Sequence, residues 1–191
     1  MRKIILSLVA LTMIISNSFA EIDTFVLSPN GMISTNINEP RYNVYDFPKC
    51  SQQSLYEKVL LTIGERFTSP KDVVSKVEGK QISIVCNLSN AVERTKFHSF
   101  DMSFTLSFEF KDEKIKVNAP IINSITDTSM KLQVMHICKS VMSANGDEFS
   151  IYNGKGKLKN ERAKKSLEYS VNIAFLSILE SVLDKETNKD W

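Results

Sequence analysis

A chain of 191 residues with 24 Lys and Arg against 22 Asp and Glu is long enough for one well-filled core and lies close to charge neutrality. That balance excludes a domain drawn to nucleic acid by its overall charge. Cys50, Cys86 and Cys138 are too few for a disulfide-built scaffold, and their spacing matches no zinc site.

The N-terminus reads as an export signal. Arg2 and Lys3 give a positive start, Ile4 to Ile15 is apolar or small apart from Ser7 and Thr12, and Ser18-Phe19-Ala20 puts small residues where a signal peptidase cuts. The apolar run is shorter than the roughly 20 residues a spanning helix needs. Residues 1–20 are therefore expected to be removed, leaving 21–191 as one domain that is periplasmic or secreted. Arg2 and Lys3 leave with the leader, so the 24 basic residues become 22, equal to the 22 acidic ones. No transmembrane segment is expected in the mature chain. Cys86 falls in step with Ile82, Ile84 and Leu88, which places it in a core as a small hydrophobe and argues against a bridge.

Taken in chain order, Tyr42 to Phe47 is a short strand ended by Pro48. A helix follows, capped by Ser51 or by Ser54 with Glu57 three residues on, and its apolar stripe is Leu55, Tyr56, Val59, Leu60, Ile63 and Phe67. Gly64 inside it costs about 1 kcal/mol against alanine. Val73 to Val77 is expected to hairpin through Glu78-Gly79-Lys80 into a strand with Ile82, Ile84, Cys86 and Leu88 on one face. The clearest strand is Met102 to Phe110, where Met102, Phe104, Leu106, Phe108 and Phe110 alternate with Ser103, Thr105, Ser107 and Glu109. After the polar turn Lys111-Asp112-Glu113-Lys114, the residues Ile115, Val117, Ala119 and Ile121 repeat that pattern. Between 125 and 153 two readings compete. Met130, Val134, Ile137, Cys138 and Val141 fit a helical face, whereas Leu132, Val134, His136 and Cys138 fit a strand, and Asn145-Gly146-Asp147 marks a turn. The last helix runs from near Asn160 to about Lys185, with one stripe of Ala163, Leu167, Val171, Ala174, Ile178 and Val182. A second stripe, Tyr169, Ile173, Leu176 and Leu183, predicts a contact beyond the sheet, either with the segment before the helix or with another molecule, and it is the candidate surface for a second copy.

The order is strand, helix, four strands, helix: an α+β domain with both helices on one face of an antiparallel sheet. Several stretches carry a family likeness: Phe25-Val26-Leu27-Ser28-Pro29-Asn30-Gly31, Asp46-Phe47-Pro48 with Leu55-Tyr56, Ser69 to Gly79, Phe100-Asp101-Met102, Phe110-Lys111-Asp112, and Ile151-Tyr152-Asn153 with Lys157-Leu158-Lys159. In these the chain resembles the secreted bacterial family catalogued as domain of unknown function 4468. The resemblance implies a TATA-binding-protein-like (TBP-like) β-α-β4-α fold, with a curved sheet and a long C-terminal helix. It implies an envelope or secreted setting and brings no catalytic residues. Glu113 stands where that likeness leads one to expect glycine.

No residue is assigned a catalytic or metal-binding role, and no cofactor is expected. His98, Ser99 and Asp101 are read as a polar loop leading into the Met102 strand, with a hydrolase or transferase site near His98 and Asp101 as the alternative. Gly154-Lys155-Gly156-Lys157 lacks the Ser or Thr of a phosphate loop. Lys155, Lys157, Lys159 and Arg162 form a candidate site for an anionic partner, beside a helix start whose dipole opposes them. On the side away from the helices, Ser83, Asn87, Ser103, Thr105 and Ser107 form a candidate ligand-binding row of hydroxyls and amides. That row speaks against nucleic acid and suits either plain solvation or loose contact with sugars or peptides, with an envelope protein or glycan as the candidate partner.

Overall fold

The computed structural model describes residues 22–36, 38, 40–66, 74–127, 132–138 and 148–187. The expected export signal at 1–20, Phe67, Val73, Met130, Val141 and the expected turn at Asn145-Gly146-Asp147 lie outside them. The elements are β1 (Phe25–Ser28), β2 (Gly31–Ser34), β3 (Tyr42–Asp46), α1 (Gln52–Arg66), β4 (Val74–Val77), β5 (Gln81–Thr95), β6 (His98–Lys111), β7 (Lys114–Asn118), β8 (Ile121–Asp127), β9 (Gln133–Cys138), β10 (Glu148–Tyr152) and α2 (Glu161–Thr187). The expected β-α-β4-α order is present as β3, α1, the β4–β7 meander and α2. Around it the structure adds the β1–β2 hairpin, β8 and β10, which the residue pattern alone did not announce, and β9, one of the two readings of its segment.

Among the described residues the main sheet has eight strands, ordered β10-β9-β8-β6-β5-β4, with β7 bridging β6 to β3. It is antiparallel except for the parallel β10–β9 pair. The β6 strand organises it. Phe104, Leu106 and Phe108 are fully buried, and Met102 and Phe110 nearly so. On β5, Ile82 and Ile84 stand directly opposite Phe108 and Leu106 and are equally buried. Truncating any one of these phenylalanines to alanine is a change of the kind that costs about 3–5 kcal/mol. The three cysteines are free, and burial pushes the Cys86 thiol up to about 12.

Two departures from strict alternation have a physical cause. The strand read as Ile115 to Ile121 is interrupted at Ala119-Pro120: β7 and β8 lie along the same edge of β6, but the register slips between them. A one-residue slip moves a side chain to the other face, so Ile121 is 65 % exposed instead of buried. A further irregularity between Ser103 and Phe104 restores the phase, and Ile125 returns to the core opposite Met102. In β9 the strand reading holds over the helical one, with the opposite face inward: Met135 is buried, while Leu132 and His136 are exposed.

Both helices lie on the Phe104 side. Ser51 caps α1, accepting from the Ser54 amide at 3.2 Å, so Ser54 is not the cap. The Asp112 carboxylate accepts from the Gln52 amide at 2.8 Å, which ties the β6–β7 turn to the start of that helix. Glu113 occupies the turn with φ 61, a left-handed conformation that favours glycine. Its side chain accepts from the Lys49 amide at 2.8 Å, an interaction glycine could not make. Gly64 faces open space, so close packing does not account for it.

Asn160 caps α2 through the Ala163 amide at 3.0 Å. Contrary to expectation, Glu161–Leu183 is long and apolar enough to cross a membrane by length and composition. Here Ala163, Leu167, Val171, Phe175 and Val182 are fully buried in the domain core. α2 also contacts β1, through residues outside the second stripe, of which Leu176 packs against the core. Asn172 accepts from the Phe25 amide at 2.9 Å and donates to the Phe25 carbonyl at 2.8 Å. Glu168 accepts from the Leu27 amide at 2.6 Å. Tyr169, Ile173 and Leu183 remain exposed.

Asn172→Ala leaves both Phe25 backbone groups without these partners and is expected to destabilise the domain by about 2 kcal/mol. Urea unfolding checks this; an unchanged midpoint would show that α2 does not hold β1.

Candidate functional site

Alternation on fully paired strands leaves one face of the sheet away from the helices. The expected row lies there. Ser83 faces Ser107 across β5 and β6, Asn87 faces Ser103, and Val85 faces Thr105. The Ser83 and Ser107 hydroxyls are 2.7 Å apart and hydrogen-bonded, and Thr105 accepts from the Asn123 amide at 3.1 Å. Two of the five are thus bonded to each other and a third to a neighbour on β8, with Asn87 exposed and the others half-buried. Asn87 and Ser103 also line a shallow hollow of about 170 Å³ with Asp101, Ser124 and Thr126.

A larger groove, of about 590 Å³, lies at the end of the sheet where the β6–β7 and β4–β5 turns meet. Tyr42 and Val44 of β3, Glu109 and Lys111 of β6, Lys114 and Lys116 of β7, and Lys80 line it. Register places these strand residues on one face: Tyr42 is opposite Asn118, Val44 opposite Lys116, and Glu109 opposite Lys116. Lys116 reaches the Glu109 carboxylate at 3.1 Å and stands 4.6 Å from the centre of the Tyr42 ring. Asn118 donates to Glu109 at 2.8 Å. The Asn118 hydrogen bond, then Lys116 and Lys111, hold the Glu109 carboxyl below its ordinary range against the opposing effect of burial. The open face is therefore not only hydroxyls and amides; one end is basic. Lys116 and Asn118 were legible as the polar row of the hairpin. The pairing of β3 with β7, which brings Tyr42 and Val44 beside them, was not.

His98, Ser99 and Asp101 are not in a loop but in the first turns of the β6 ladder. Successive strand residues point to opposite faces, and the side chains separate accordingly. His98 packs on Phe100 and Phe149, with ring centres 4.6 Å and 5.8 Å away. Arg94 Nε donates to its Nδ1 at 2.9 Å, so Nε2 carries the proton and donates to Asp127 at 3.0 Å. Both ring nitrogens are engaged, and the arrangement reads as a clasp joining the β5–β6 tip to β8. On the other side, Ser99 donates to Asn90 at 2.6 Å, and Asp101 accepts from the Asn90 amide at 2.8 Å. These bonds hold the β5 bulge, where Asn90 has φ 54. His98 and Asp101 therefore lie on opposite faces of the sheet, and the acid beside His98 is Asp127.

Of the cluster Lys155, Lys157, Lys159 and Arg162, Arg162 carries an ion pair, and the two lysines that follow it on α2 are paired as well. Arg162 pairs with Glu93 at 2.7 Å, Lys164 with Glu168 at 2.5 Å and Lys165 with Glu161 at 2.7 Å. Lys155, Lys157 and Lys159 are exposed. The Asn153 side chain accepts from the Lys155 and Lys157 amides at 2.9 Å, and the Lys159 amide donates to Ile151 at 2.8 Å. The segment is thus an ordered turn leading into α2. Among the described residues no group of three or more His, Cys, Asp or Glu could hold a metal ion.

Residues 42–124 match the model of the family described as "Domain of unknown function (DUF4468) with TBP-like fold", which bears out the resemblance read from the residues. Two solved structures are similar over most of the chain. One is a TBP-like protein from Parabacteroides distasonis ATCC 8503, 12 % identical over 78 % of this chain and 92 % of that one, with a TM-score of 0.49. The other is a DUF4468 family protein from Bacteroides ovatus ATCC 8483, 13 % identical over 74 % of this chain and 84 % of that one, with a TM-score of 0.46. No curated protein matches the chain.

Because the folded Glu109 is more acidic than the unfolded one, its contribution to stability is present above the ordinary carboxylate range. That contribution is lost as pH falls through the depressed value. The group is partly exposed, so the effect is expected to stay below about 1 kcal/mol. Glu109→Gln should lower the urea midpoint at neutral pH and converge with the parent in acid. A gap independent of pH would contradict this.

Proposed function

We propose that the chain is an exported, non-enzymatic binding or assembly module of the bacterial envelope, meeting an envelope protein or glycan on its open sheet face. The carrying observation is that α1 and α2 both pack on the Phe104 side, so that among the described residues no helix lies over the face that holds Ser103, Thr105 and Ser107. Ligand sites are concave and carry a few placed polar groups, and the groove beside Tyr42 has that form. The leader supports export. The engagement of both His98 nitrogens favours binding over chemistry at that histidine. The outer stripe of α2, with Tyr169 68 % and Ile173 47 % exposed, is the surface proposed for a second copy.

Photo-cross-linking in the native cell tests the reading, with the reactive side chain placed singly at Ser103, at Tyr169 and, as a control, at Glu180. The reading expects envelope material captured at Ser103 and not at Glu180, a product of twice the chain mass at Tyr169, and a recovered chain lacking residues 1–20. Equal capture at Ser103 and Glu180 would overturn the open-face reading. A monomer-only pattern at Tyr169 would remove self-association, and an intact N-terminus in the cytoplasm would remove export.

A further inference from the structure

We infer that the basic end of the open face is a binding site for a carboxylate-bearing oligosaccharide. This rests on the open-face reading and names the ligand chemistry of that face. The charge is the first ground. Lys80, Lys111, Lys114 and Lys116 line one groove against a single lining carboxylate, Glu109. Around the rim Asp46 lies 3.5 Å from Lys114, Asp112 accepts from the Gln52 amide and Glu113 from the Lys49 amide, so the excess of positive charge belongs to the lining itself. Lysines are rotatable point charges rather than planar forks, which suits carboxylates spaced along a flexible saccharide.

The second ground is the floor. Tyr42 and Val44 stand on the same face of β3, and Val44 is 43 % exposed. An aromatic ring beside a half-exposed aliphatic side chain offers an apolar bed for the C–H face of a sugar ring. Lys116 already sits against that tyrosine, held by Glu109. The groove continues the face that carries Asn118, Ser107 and Thr105, whose amide and hydroxyls match sugar hydroxyls.

The third ground separates saccharide from peptide. Peptides that bind sheets typically add a strand and are held by free main-chain groups. The β6 and β7 strands beneath the groove are paired to each other, β7 is also paired to β3, and β6 is also paired to β5. β3, at the rim, pairs with β7 alone among the described strands, so recognition over β6 and β7 falls to side chains. The volume of about 590 Å³ lies within the roughly 300–1,000 Å³ of sites that enclose small ligands.

Titration with trigalacturonic acid, followed by calorimetry and by amide shifts, tests the inference against maltotriose and a hexaglutamate peptide. Trigalacturonic acid should bind with an affinity that falls as salt is raised. It should bind at least about tenfold more tightly than maltotriose, and Tyr42→Ala or the pair Lys111→Gln with Lys114→Gln should each weaken it by about tenfold or more. Unchanged thermal melts would show that these variants remain folded. The inference fails if trigalacturonic acid does not bind, if maltotriose binds as well, if the lysine pair has no effect, or if hexaglutamate binds equally and ignores Tyr42→Ala. Should these titrations fail while Ser103 still captures envelope material in the cell, this ligand assignment falls and the open-face reading stands. Should Ser103 capture nothing above its control, the open-face reading itself falls.

Discussion

Because β6 is hydrogen-bonded on both edges, to β5 on one side and to β7 and β8 on the other, its side chains have only two directions available. A fully paired strand cannot rotate to hide an awkward residue, so the alternation of Met102, Phe104, Leu106, Phe108 and Phe110 with Ser103, Thr105, Ser107 and Glu109 divides the sheet into an oily side and a wet one. Helices with apolar stripes can cover only the first. The character of the second side, and every functional reading attached to it, follows from that division.

The long helix decides how the division is closed off. Its apolar side fills the core, while its polar side chains reach backbone groups that the main ladder leaves over. Ser166 accepts from the Glu93 amide at 2.8 Å, Ser170 donates to the Ala91 carbonyl at 3.1 Å, and Asn172 and Glu168 serve β1. Arg66 of α1 donates to Ser177 and Ser181, joining the two helices. Buried main-chain groups need such partners, and α2 supplies them beyond the β5 bulge and along β1. This accounts for the polar residues interleaved with its stripes.

Period-two patterning on β5, β6 and β7 was readable because those strands have one wet face, as was the stripe on α1. Ile121 was misplaced because Pro120 and a register slip are invisible to a count of alternating residues. Short four-residue strands such as β1 and β2 carry too few repeats to show a period, and their turn at Pro29-Asn30 looks like any loop. In β9, Met135 and Ile137 compete with Val134 and Cys138 for the inward face, and both rows are apolar. The candidate row on the open face was found from β5 and β6 alone. The groove beside it depends on β3 lying next to β7, a contact between residues some seventy positions apart that no local pattern encodes. His98 looked like a loop residue because a hydrophilic stretch at the tip of a long hairpin has the composition of a turn.

The functional account therefore depends on which side chains meet water. Hydroxyl-radical footprinting read by mass spectrometry measures this directly, with Phe97 at the β5–β6 tip, 98 % exposed, as an internal reference. Phe104, Leu106 and Phe108 are expected to stay unmodified in the folded protein while Tyr42, Val44, Ile121 and Phe97 are oxidised. Oxidation of Phe104 or Phe108 at a rate comparable to that of Phe97 would contradict the division of the sheet and the binding face derived from it.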